Sequence, residues 1–236
     1  MIRQLANAVR ERRVGAHELV SEALRRIEAH DPELHAVVAL RAEEALDEAR
    51  GLDEHLASGG GEPRPLAGVP ALIKDLTDVT GMPTTFGSQL YASAAPAARA
   101  GLPTARHRAA GAVIVGKTNT PEFATEGYTN NHVFGPTRNP WNRERTPGGS
   151  SGGSGAAVAA GMTPIATATD TAGSIRIPSA YCGLVGLKPT NGVVARESET
   201  RIALEWIDLT TDGPLGVTVD DVVVQLEALA GPAPGD

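Results

Sequence analysis

A chain of 236 residues and 24.4 kDa is long enough to bury a real core, and 41% hydrophobic with 21% charged residues marks it as globular rather than disordered. A net charge of −7 without a basic run argues against nucleic acid, and no apolar run approaches the roughly 20 residues that span a bilayer. Cys182 is the only cysteine, which excludes an internal disulfide and a cysteine cluster for a metal and fits a reducing compartment.

The chain begins with two predicted helices, residues 2–14 and 16–30. Leu5, Ala6, Val9 and Val14 give the first an inward face, which outweighs the faint transit-segment character of its arginines, and no continuous apolar stretch suggests a secretory signal. Leu19, Val20, Ala23, Leu24 and Ile27 repeat at helical spacing in the second, and Asp31-Pro32 is expected to end it. A strand at 35–40, an acidic helix at 41–57 and a loop marked by Gly59, Gly60, Gly61 and Pro63 follow. Next come a strand at 69–75 with Lys74 near its end, a turn-rich loop at 82–88, a helix at 103–111 and a strand at 112–117. Residues 119–149 form a long stretch rich in Asn, Thr, Pro and Gly, of the kind that carries function. A Gly/Ser loop and small-residue helix then lead to strands at 164–169 and 184–188, separated by a turn at 171–174. A helix at 218–230 closes the chain, with Thr218 as N-cap. Alternating strands and helices predict an α/β fold, a mixed central sheet covered by helices on both faces.

Two motifs invite readings that their neighbours oppose. GAVIVGKT (111–118) fits the phosphate-loop pattern, yet its central Ala, Val, Ile and Val resist the left-handed backbone of a phosphate nest and read as buried strand. GSSGG (149–153) fits a nucleophile elbow centred on Ser151, but Arg145, Thr146 and Pro147 make a poor strand before it. A later histidine is also missing, since His132 is the last of six. No HExxH or paired-histidine pattern points to a metal.

What remains is serine chemistry with lysine as the base. A serine hydroxyl is a weak nucleophile until a base takes its proton. Of 21 basic residues only Lys74, Lys117 and Lys188 are lysines, and lysine, unlike arginine, can lose its proton when buried. Lys74 and Lys117 both end apolar strands, and the residues alone do not choose between them.

The segments LAGVPALIKD (66–75), MPTTFGS (82–88), GAVIVGKTNTPEF (111–123), FGPTRNPWN (134–142), TPGGSSGGSGAAVAAG (146–161) and TDTAGSIRIPSAYCGLVGLKPT (169–190) closely resemble the amidase signature family, in family order. The resemblance implies the family's mixed α/β fold and amide hydrolysis by a Ser–cis-Ser–Lys triad without metal or cofactor. It makes Lys74 the base, Ser150 the bridging serine after a cis peptide bond, and Ser174 the nucleophile that forms an acyl-enzyme. It assigns the oxyanion hole to backbone N–H groups of the turn at 171–174, that is Thr171, Ala172, Gly173 and Ser174, and supporting roles to Ser151, Asp170 and Arg176. Lys117 and Lys188 match recurrent motif positions outside the triad.

Two departures from the family stand out. Ala172 replaces a frequent glycine and would be strained if that position required a positive φ. The chain is also much shorter than family members, so residues 1–236 are expected to be one shortened amidase domain with its signature core at 66–190. An unfinished sheet edge would then call for a second copy or a partner chain. The expected substrate is a small-molecule amide and the expected setting cytoplasmic, with no nucleic-acid or membrane partner. Phe123, Tyr128, Asn131 and His132 are candidates for the acyl side of a pocket. Two alternatives stay open: a catalytically weak amidase-like fragment acting as an interaction module, and the amidase subunit of a glutamine-dependent tRNA amidotransferase.

Overall fold

The computed structural model describes residues 1–60, 64–196 and 209–233. Seven helices lie along these residues: α1 (Ile2–Arg10), α2 (Ala16–Leu34), α3 (Ala42–Ala57), α4 (Leu102–Ala109), α5 (Gly152–Ala159), α6 (Arg176–Cys182) and α7 (Val219–Leu229). Six strands accompany them: β1 (Val37–Leu40), β2 (Pro70–Lys74), β3 (Val113–Thr118), β4 (Ile165–Asp170), β5 (Val185–Gly186) and β6 (Thr211–Gly216). They form one mixed sheet in the order β1-β3-β2-β4-β6-β5. The central three strands, β3, β2 and β4, run parallel, while β1 and β6 flank them antiparallel.

Side-chain alternation along the central strands decides which helices cover which face. Leu72, Val113, Val115, Ala166 and Ala168 pack with Val20 and Ile27 of α2, Ala45 and Ala49 of α3, and Ala156 and Ala157 of α5. Their neighbours Ala71, Ile73, Ile114 and Ile165 point the other way, toward Ile2 and Ala6 of α1 and Val224 of α7. Both faces are therefore apolar and both are covered, which is the layered α/β arrangement expected from the alternating pattern. The GAVIVGKT motif is part of this core. Val113–Thr118 is strand β3, buried at all six positions.

Several boundaries depart from the sequence reading. α1 stops at Arg10, and Arg12 turns into the left-handed region with φ 57°. α2 continues through Pro32 to Leu34 rather than ending at Asp31-Pro32. Asp31 then secures the exit by accepting the N–H groups of Ala36 and Val37 at 2.7 and 3.0 Å. Gly61 and Pro63 lie outside the described residues.

Two elements were not foreseen. β6 has the sequence TDGPLG, whose Gly213 and Pro214 read locally as a turn, yet it is buried throughout and pairs with β4. The tertiary setting explains this composition. A Cβ on Gly213 would lie 2.6 Å from the Leu187 carbonyl oxygen, and Pro214, lacking an N–H, offers its carbonyl to Leu187 N–H at 3.1 Å. Helix α6 was hidden by Pro178, which sits in its tolerant first turn, and by Gly183, which caps it at φ 70°.

Leu72 is fully buried in β2, two residues before Lys74. Leu72→Ala should lower unfolding stability by about 2–5 kcal/mol in urea denaturation, and a loss well below that range would show that the sheet beneath Lys74 is not tightly packed.

Candidate active site

β2 and β4 are parallel neighbours, and residues beyond their carboxyl ends occupy the place where open α/β sheets bind ligands. Lys74 is the last residue of β2, Asp170 the last of β4, and Ser174 lies in the turn that follows β4. The β2–β4 ladder runs through Ala71–Ile165 and Leu72–Ala166. Past that point the Lys74 N–H donates instead to Thr167 Oγ1 at 2.8 Å.

The Lys74 side chain is fully buried. Its Nζ donates to Ser150 Oγ at 2.7 Å, Ser151 Oγ at 2.8 Å and Thr169 Oγ1 at 2.9 Å. Burial pushes its pKa down to about 7, against the opposing pull of Asp212 and then Asp170, with Arg196 adding to the decrease. The ring of hydroxyls suits either protonation state. An ammonium donates to all three, whereas a neutral amine donates to two and accepts a hydrogen bond from the third. A carboxylate in that position would favour the charged lysine.

Lys117 has that other environment: burial lowers its pKa as well, but the Asp75 carboxylate opposes the shift. Its Nζ lies 2.6 Å from Asp75 Oδ1 and donates to Thr84 Oγ1 at 2.8 Å and Pro83 O at 2.9 Å. Lys188 is partly buried and donates to the Pro189 carbonyl at 2.9 Å. Geometry thus separates two lysines that the local sequence left equivalent.

The serines reach Lys74 through the Gly/Ser loop that opens α5. The Gly149–Ser150 peptide bond is cis. Gly149 itself is dictated by crowding, since a Cβ there would lie 2.6 Å from the Tyr128 carbonyl oxygen. The loop before Ser151 is irregular, so the strand that a nucleophile elbow needs is missing there. Ser151 is tied to β4: its Oγ accepts Thr169 N–H at 3.3 Å and donates to Thr169 O at 3.4 Å. Its N–H donates to the Ser174 carbonyl at 3.3 Å, which brings the turn holding Ser174 against the loop holding Ser150. The described hydrogen bonds do not join the Ser174 hydroxyl to Ser150.

Asp170 organises that turn. Its carboxylate accepts Gly173 N–H at 2.7 Å, Ile175 N–H at 3.2 Å, and both Nε and Nη2 of Arg176 at 2.9 Å. Burial alone would raise the Asp170 pKa, but Arg176 and these N–H groups together hold it below the usual carboxylate range. The left-handed position in this turn is Gly173, with φ 124°, whereas Ala172 has a negative φ and carries no such strain. The Gly173 N–H is engaged by the Asp170 carboxylate.

The acyl-side candidates separate as well. Phe123 packs against Phe86 and Tyr91, with ring centroids 6.5 and 6.1 Å away. Asn131 is loop scaffolding: its Nδ2 donates to Asn119 Oδ1 and Thr120 O, and its Oδ1 accepts Val133 and Phe134 N–H groups. His132 and Tyr128 are exposed. Among the described residues, no three His, Cys, Asp or Glu side chains are grouped to hold a metal ion. Thr169, Asp212 and Arg196 escaped the sequence reading. The charged Asp in TTDGPLG becomes informative only once that segment is seen as a buried strand.

These observations define a class: a mixed α/β protein with a buried lysine ringed by hydroxyls at the carboxyl end of its sheet. The profile of the Amidase family matches residues 18–236, and the chain belongs to that family. It is 44% identical over 235 residues to the A-type subunit of glutamyl-tRNA(Gln) amidotransferase from Cyanothece sp., covering all of this chain and 48% of that one. It is 42% identical over 233 residues to an acylamidase of Rhodococcus erythropolis, with 99% and 48% coverage. Among solved structures, the peptide amidase of Stenotrophomonas maltophilia superposes with a TM-score of 0.90 at 35% identity, covering 100% of this chain and 48% of that one. The chain spans about half the length of the relatives it matches.

The Lys74 pKa of about 7 lies below the ordinary 10.5, so between those values the unfolded chain keeps a proton that the folded chain has released. Stability contributed by this group therefore rises with pH across that window. The urea stability of the wild type relative to Lys74→Met should increase as pH is raised from about 7 to about 9, and a constant or shrinking difference would contradict a depressed lysine.

Proposed function

We propose that the chain carries the catalytic half of a serine amidohydrolase that cleaves a carboxamide C–N bond. The observation that carries this reading is the 2.7 Å contact between the buried, uncharged-capable amine of Lys74 and Ser150. In the first step the Lys74 lone pair takes the Ser150 hydroxyl proton while Ser150 takes that of Ser174. The Ser174 oxygen then forms a bond to the amide carbon, and the displaced C=O electron pair becomes an oxyanion. The turn at 171–174 supplies the backbone N–H groups that stabilise it, and one such donor is worth roughly 3 kcal/mol. Collapse breaks the C–N bond, and the proton held by Lys74 returns through Ser150 to the leaving amine. Water attacks the acyl-enzyme by the same relay and releases the acid.

Several features support these roles. Ser151 ties the α5 loop to β4, and Asp170 with Arg176 holds the turn that presents Ser174. The similarity to an acylamidase and to a peptide amidase points to linear amides as the substrate class. A second reading is favoured by one observation, the 44% identity to a component of a tRNA amidotransferase. There the same site would release ammonia from glutamine only together with partner proteins, and that dependence on partners separates the two readings.

The test is turnover of a chromogenic anilide panel. Lys74→Ala and Ser174→Ala should each reduce kcat by a factor of about 10³ or more, whereas a Lys74→Ala protein as fast as wild type would remove the base. Because neutral lysine is the active form, activity should rise with pH through a midpoint near the Lys74 value of about 7. A flat profile between about pH 6 and 9 would contradict a titrating lysine.

A further inference from the structure

Strand β6 brings a second buried acid to the site. Thr169 of β4 lies directly opposite Asp212 of β6 in the antiparallel ladder. Directly opposed residues send their side chains to the same face of a sheet, with Cβ atoms about 5 Å apart. Thr169 Oγ1 is one of the three hydroxyls bonded to Lys74 Nζ. Asp212 therefore stands one side chain away from the amine. It is buried, and its charge is paired from the other side by Arg196, Nε to Oδ2 at 3.5 Å.

We propose that Asp212 is a positioning residue for Lys74, and that the Arg196–Asp212 pair sets how tightly the amine holds its proton. This rests on the reading of Lys74 as the catalytic base. The charged groups acting on Lys74 come from three segments: Asp170 on β4, Asp212 on β6, and Arg196 ahead of β6. Asp170 is already engaged by Arg176 and by three backbone N–H groups, so it is committed to shaping the turn. Asp75, next to Lys74 in the chain, is paired with Lys117. Asp212 is the acid whose described partner is a single guanidinium at the long end of ion-pair distance. Burial disfavours the Asp212 carboxylate, and Arg196 and Lys74 both favour it; the negative form in turn favours the protonated amine, whereas Arg196 favours the neutral one. The two groups act on Lys74 in opposite directions, which gives the proposal a signed signature that loss of packing does not produce.

Only three lysines occur in the chain, so lysine labelled with ¹³C at Cε gives three resolvable reporters. The Lys74 signal is the one that disappears in Lys74→Met. Asp212→Asn should move its titration midpoint down by about half a pH unit or more, a roughly threefold fall in proton affinity. Arg196→Gln should move it up by a similar amount, and Asp212→Glu, which keeps the charge, should leave it near the wild-type value. A Lys74 midpoint unmoved in Asp212→Asn, or shifted the same way in both charge-removing variants, overturns the proposal. Should Asp212→Asn fail to fold, the upward shift in Arg196→Gln decides it alone, and a midpoint unmoved or lowered there overturns it. The underlying reading fails separately: a Lys74→Ala protein that turned amides over at the wild-type rate would remove the base while the lysine titration in folded protein still read the electrostatics.

Discussion

The arrangement depends on one amine placed out of water among hydroxyls. Lys74 is fully buried, and no carboxylate touches its Nζ in the described contacts. Removing solvent disfavours the ammonium, and hydroxyls compensate it only in part, so the proton becomes labile near neutrality. Burial also shifts the second interior lysine, Lys117, downward, but there the touching Asp75 carboxylate pulls back toward the charged form. The sheet uses its two interior lysines for different ends, one as an ion-pair strut beneath the loop at 82–88 and one as a group that can change state.

The surrounding structure can be understood as what keeps that amine in place. The parallel core β3–β2–β4 fixes the strand end from which Lys74 projects. The Gly/Ser loop and the first turn of α5 have no room for larger residues: Gly149 lies against the Tyr128 backbone, and a Cβ on Gly153 would lie 2.5 Å from the Asn119 backbone. That crowding brings two adjacent serines to a single nitrogen. On the other side Asp170 gathers the N–H groups of the following turn, and Arg176 neutralises it. Main-chain donors, hydroxyls and one ion pair thus satisfy each other and hold the site together.

Much of this was legible in the sequence, and the exceptions have physical causes. Val113–Val115 and Ala71–Ile73 announced buried strands by apolar runs, and Lys74, Ser150 and Ser174 stood in recognisable motifs. The choice between Lys74 and Lys117 was not readable locally, because both follow apolar strands and differ only in what the fold brings opposite them. β6 was invisible because Gly213 and Pro214 obey tertiary crowding rather than strand propensity. Asp212 and Thr169 were invisible for the same reason, since their adjacency is a property of the β4–β6 register. The Gly173 N–H could be assigned only once the Asp170 carboxylate was seen to accept it.

The central claim is that Ser174 attacks and that Ser150 relays its proton to Lys74. Its most direct test is a crystal structure of the protein after reaction with a fluorophosphonate. The account predicts phosphorus bonded to Ser174 Oγ, with Ser150 Oγ within hydrogen-bond distance of both that oxygen and Lys74 Nζ. An adduct on another residue, or a Ser174 adduct with water in place of the Ser150 bridge, would contradict it.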